Sequence, residues 1–137
     1  MRNVFRTLFA AGVLLTAMPA WAHHSFAAAF DENKPVIVKG VITEIRLENP
    51  HSWFYVNVTD ENGKVTKWGF EGNTPTSLMR AGYKRDSLKV GDRVTVKGSH
   101  ARDMSANMGA AREIVLDDGR SFIVGPKGAD AAASQGY

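Results

Sequence analysis

The residues best suited to chemistry are four histidines, His23, His24, His51 and His100. No cysteine accompanies them, so disulfides, thiolate metal sites and a cysteine nucleophile are excluded. Imidazole nitrogens are ligands for transition metals, and nitrogen donors in a tetragonal set favour Cu(II). His23 gains a second donor if it begins the mature chain. A free α-amine, with a pKa of about 8, then lies beside an imidazole with a pKa of about 6.5, and together they form the bite of a histidine brace. His24 adds an imidazole one residue on. His51 or His100 would complete the shell, and Met104 and Met108 are soft donors suited to Cu(I). Each reading has an ordinary alternative. Two exposed terminal histidines collect metal adventitiously, His51 bonds back to the Asn49-Pro50 turn, and loop methionines fill gaps against a core.

The position of His23 depends on the N-terminus. Met1 to Arg6 is short and basic, an apolar stretch runs from Thr7 to Met18, and Ala20-Trp21-Ala22 is an A-x-A cleavage site. These three parts in that order predict a secretory signal over residues 1–22. The apolar run is also short for a bilayer span of about 20 residues. The expectation is a periplasmic protein, not a lipoprotein, with no stable membrane insertion after cleavage. Removing Arg2 and Arg6 leaves 15 basic against 14 acidic side chains. That near balance gives no reason to expect nucleic acid as a partner, since phosphate-backbone binding needs dense positive charge.

A second kind of chemistry lies in the rings. Trp53, Tyr55 and Trp68, with Phe70 beside them, read as an aromatic patch. Such a patch on a barrel face could stack on a glycan, a small aromatic ligand or a protein partner; its alternative is burial beneath the helix, the N-terminal arm or a loop. No enzyme is predicted. Ser25, Ser52 and Ser99 each adjoin a histidine, but adjacent strand residues point to opposite faces. No Gly-rich loop precedes a helix to cradle phosphate.

These side chains need a scaffold. A lead-in, 23–34, precedes a first strand from Pro35, in which Gly40 marks a bulge or sharp bend. The second strand, about His51 to Asp60, alternates, with Phe54, Val56 and Val58 on one face and His51, Trp53, Tyr55 and Asn57 on the other. Asn62-Gly63 is a hairpin signal, and a third strand follows over Val65 to Glu71. Thr74 and Pro75 open a short helix to Ala81 that Gly82 ends, with Leu78, Met79 and Tyr83 facing inward. Leu88 to Gly98 enters a fourth strand with Val94 and Val96 inward. His100 to Gly109 reads as a loop, Ala111 to Leu116 as a fifth strand and Phe122 to Val124 as a brief last one. Residues 125–137 read as a disordered tail. Strand, strand, strand, helix, strand, strand is the element order of a five-stranded OB-like Greek-key barrel, here over 35–124, mainly β with one short helix between strands three and four.

The segments His23-His24-Ser25-Phe26, Asn49-Pro50-His51-Ser52-Trp53, Trp68-Gly69-Phe70-Glu71 and Leu78-Met79-Arg80-Ala81-Gly82, with Leu88 and Gly91-Asp92, resemble a family of small exported bacterial proteins of unknown function. The resemblance implies export and a small β-rich domain, and it supplies no activity. A looser similarity is to OB-fold periplasmic copper and silver chaperones, which hold Cu(I) with one His and two Met beside a Trp; the residue types are here without that spacing. Two functional readings follow. One is a monomeric copper-binding protein using His23, His24, His51 and His100, working with a metal-handling envelope protein. The other is a metal-free module whose Trp53, Tyr55 and Trp68 recognise a glycan or a protein.

Overall fold

The computed structural model describes residues 28–126. Six strands and one helix follow one another: β1 Phe30–Arg46, β2 Trp53–Thr59, β3 Val65–Glu71, α1 Pro75–Arg80, β4 Arg93–Ala101, β5 Met108–Leu116 and β6 Ser121–Ile123. They form one sheet in the order β3-β2-β1-β4-β5-β6, and an added parallel pairing of β3 with β5 closes the first five strands into a ring. The described residues are therefore mainly β, a barrel-like closed sheet with helix α1 between the third and fourth strands, as the element order predicts.

Closure needs β1 to serve two neighbours. Its first half pairs with β4, and from Val41 it pairs with β2, with a register shift between Ile42 and Glu44. Gly40 sits at the handover. A Cβ there would run into the Asn57 carbonyl oxygen, so only a residue without one lets β2 approach. The bend expected from a lone mid-strand glycine is thus a close backbone crossing.

Several boundaries shift from the sequence reading. β1 begins at Phe30 inside the lead-in, because Phe30 pairs with Ala101 and packs with Ala101 and Ala110 in a small cluster of their own. His100 lies within β4 and not in a loop, held by pairing to Asp31 and Gly109. Gly125, expected to open the tail, is buried, and its carbonyl accepts a 2.6 Å hydrogen bond from the Asn73 side-chain amide. The signal segment 1–22, His23, His24 and the tail from 127 lie outside the described residues.

The interior is filled by one face of each strand. Ile42, Phe54, Val56, Phe70, Val94, Val96 and Ile114 are buried together. Helix α1 adds Leu78 to this core. Its start follows the sequence signals: Thr74 Oγ1 accepts from the Ser77 N–H at 3.2 Å, Pro75 is the first helical residue, and Gly82 takes a positive φ of 95°. Met79 departs from expectation and is 52 % exposed, since a helix of under two turns offers the core a single stripe. Tyr83 packs edge-on against Phe54 and Phe122.

The Tyr83 hydroxyl is buried with no hydrogen-bond partner among the described residues. Burial, reinforced by the charge of Asp92, pushes its phenol from 10 up to about 12. A phenol raised on folding favours the native state below the unfolded value, and that contribution is lost as pH rises through the folded one. Tyr83→Phe should therefore melt within about 1 kcal/mol of wild type at neutral pH, yet resist unfolding better between pH 10 and 12; parallel alkaline melting curves for the two proteins would refute this. Gly40→Ala should cost about 2 kcal/mol or more in denaturant unfolding, because the added methyl meets backbone.

Candidate ligand-binding site

The outer face of the β2–β3 hairpin carries the candidate site, and local pairing explains its layout. Asp60 accepts backbone N–H bonds from Asn62 and Lys64, and Gly63 takes φ 81°, so the turn closes with Thr59 opposite Val65. Trp53 then faces Glu71, Tyr55 faces Gly69, and Asn57 faces Lys67. Directly paired residues share a face. On the flanks, β1 sets Arg46 beside Trp53 and Glu44 beside Tyr55, while β5 sets Met108 beside Gly69.

Trp53 and Tyr55 stack with ring centroids 6.2 Å apart and planes 19° from parallel. Both lie toward Gly69, where a Cβ would sit 3.2 Å from Tyr55 Cε1 and 3.9 Å from Trp53 Cζ3. Any side chain at position 69 would compete with the rings for that space. The Gly69 N–H donates to the Asn107 carbonyl at 3.0 Å, which ties the β4–β5 loop to the edge of the platform. The result is a groove of about 530 Å³ lined by Trp53, Tyr55, Lys67, Gly69, Asn107 and Met108. Two rings, a thioether, an amide and one cation make a lining suited to a ligand with flat apolar faces and polar edges.

Charges brace the Tyr55 end. Lys67 Nζ lies 4.6 Å from the Tyr55 ring centroid and Arg46 Cζ lies 5.3 Å from it. Glu44 bridges the two cations, at 2.6 Å to Arg46 Nε and 3.4 Å to Lys67 Nζ. The Arg46 hydrogen bond holds the Glu44 carboxyl below its ordinary value. Exposed pairs of this kind contribute little to stability, so their consequence is where the cations stand. At the Trp53 end, Glu71 is 19 % exposed and its Oε1 lies 3.2 Å from His51 Nδ1, an ion pair when the ring is charged. Burial raises the Glu71 carboxyl, and the His51 charge opposes that.

The sequence-predicted residues divide. Trp53 and Tyr55 share the outer face as expected, and His51 stands at its end. Trp68 is a correction: it pairs with Val56, packs on the core and stacks on Phe70 at 5.7 Å, so it belongs to the interior face. His100 is on that side too, edge-on to Trp68 at 5.4 Å, with Nδ1 2.8 Å from the Ala101 carbonyl. His51 and His100 therefore engage different faces of the sheet and do not converge. Met104 and Met108 are exposed, not gap-fillers; Met108 is groove wall. Among the described residues no group of three or more His, Asp or Glu side chains could hold a metal ion. His23 and His24, on which the copper reading depends, lie outside the described residues. Lys67, Gly69, Glu71, Arg46 and Asn107 join the site without having been singled out for it.

A larger depression, about 790 Å³, lies against α1 and is lined by Asn73, Ser77, Arg80, Ala81, Ile123, Gly125 and Pro126. It has no ring to stack a ligand and is bounded by the last described residues, so the smaller aromatic groove is the better candidate. No helix among the described residues is long and apolar enough to cross a membrane.

No curated protein and no solved structure matches this chain. A family model does, over residues 11–110, which takes in the second half of the signal-like segment, both platform strands and the start of β5. The match covers well over half of the sequence and includes every groove-lining residue, so this chain belongs to DUF6152, a family of unknown function.

Proposed function

We propose that this protein is an exported carbohydrate-binding module and that the outer face of β2 and β3 is its binding surface. The observation that carries this reading is the pair of near-parallel rings, Trp53 and Tyr55, lying over a glycine at the floor of an open groove. Sugars present flat C–H faces to aromatic rings and hydroxyls to polar groups around them. Here Asn107 and Lys67 stand at the groove, with Glu71 and His51 beyond Trp53. In five-stranded barrels of this connectivity, the strand two and three face, flanked by the loops after strands one and four, takes oligosaccharides or oligonucleotides. Among the lining residues Lys67 is the one cation, too few for a phosphate backbone. Export is supported by the basic, apolar and Ala20-Trp21-Ala22 segments.

Titration of soluble glycans into the mature protein, followed by tryptophan fluorescence and calorimetry, tests the reading. Trp53→Ala should weaken binding at least about tenfold, since one stacking ring contributes about 1–3 kcal/mol. Gly69→Val should abolish binding by filling the floor while leaving circular dichroism unchanged. Trp68→Phe should lower the melting temperature and leave affinity intact, because that ring is inside. A glycan array silent for wild type, or binding insensitive to Trp53→Ala, would refute the assignment.

A further inference from the structure

Resting on the carbohydrate reading of the same groove, we propose that its ligand is an acidic β-1,4-linked oligosaccharide. At least two rings lie along β2, and a carboxylate of the ring over Tyr55 is bound by Lys67. The platform consists of two aromatic rings in succession along one strand, 6.2 Å apart and 19° from parallel. A stacked ring pair of this length gives apolar contact beyond the reach of one sugar ring, so a monosaccharide would leave part of it uncovered.

The ends of the platform differ in charge, and that difference orients the chain. At the Trp53 end stands Glu71, paired with Trp53 and 3.2 Å from His51 Nδ1. A ligand carboxylate placed there would face Glu71. At the Tyr55 end stands Lys67, the one ionised side chain lining the groove, with its ammonium 4.6 Å from the Tyr55 centroid. Its protein partner, Glu44, is committed to Arg46 at 2.6 Å and lies 3.4 Å from Lys67. An ammonium donates three hydrogens, so Lys67 keeps donors for a ligand oxygen while Arg46 holds Glu44 aside. A charged hydrogen bond formed there, partly shielded by the Tyr55 ring, is stronger than one to a neutral hydroxyl. The structure thus separates the two tasks, with stacking by Trp53 and Tyr55 and recognition of the acid by Lys67.

Calorimetry on the mature protein with glucose, cellobiose and cellobiouronic acid tests this. Cellobiouronic acid is the β-1,4 disaccharide carrying one carboxylate, so it differs from cellobiose by that group. The disaccharide should bind at least about tenfold more tightly than glucose, and the acid about tenfold more tightly again at low salt. The preference for the acid should shrink as salt screens the charge. Lys67→Gln, a change at an exposed side chain, should bring the acid to within about twofold of cellobiose measured on the same variant. Glucose binding as well as cellobiose, no preference for the acid, or a preference that survives Lys67→Gln would each overturn the proposal. If none of the three binds while another glycan does, this proposal falls and the carbohydrate reading stands; if no glycan binds at all, both fall.

Discussion

The register of the β2–β3 hairpin governs what this surface can do. It sets Tyr55 opposite Gly69 on the outside and Val56 opposite Trp68 on the inside. A slip of one residue would exchange those faces, carrying Trp53 and Tyr55 into the core and Trp68 out to solvent. The hairpin therefore builds two ring pairs back to back: Trp68 on Phe70 as structure, and Trp53 on Tyr55 as surface. The slip is opposed by the buried sides of Phe54, Val56 and Phe70, together with the tight Asp60–Lys64 turn. Packing within the barrel thus holds the platform outside it.

Ring closure supplies the rest of the groove. β5 reaches β3 because β1 bends at Gly40 and pairs with β4 on one side and β2 on the other. Only with β5 in place do Met108 and Asn107 stand beside Gly69. The groove floor is local, made by one hairpin, while its wall comes from residues some forty positions later. Damage to the bend would leave both ring residues on their strand and remove the wall.

Electrostatics then give the site two unlike ends. The Arg46–Glu44–Lys67 group surrounds Tyr55, and the Glu71–His51 pair adjoins Trp53. Glu71 is the more buried carboxylate of the two ends, and its burial works against its charge while His51 works for it. The exposed Glu44 has the opposite balance, with the Arg46 bond dominant. Two carboxylates on one face thus differ in character because their neighbours differ.

What the sequence determined by itself was local in origin. Period-two alternation placed Phe54 and Val56 inside and Trp53 and Tyr55 outside. Thr74, Pro75 and Gly82 delimited the helix, Asn62-Gly63 the turn, and Gly40 the bend, and the order of these elements was enough for the barrel. The inward side of Trp68 is also local information, since counting outward from the Asn62-Gly63 turn sets it opposite Val56. The pairing of Phe30 with Ala101, inside the lead-in, spans some seventy residues and leaves no local pattern. The separation of His51 from His100, the pairing of His51 with Glu71, and the arrival of Asn107 and Met108 beside Gly69 were decided by tertiary structure alone. Side-chain direction along a strand follows from neighbouring residues, whereas contact across strands follows from registers and closures that distant segments set together.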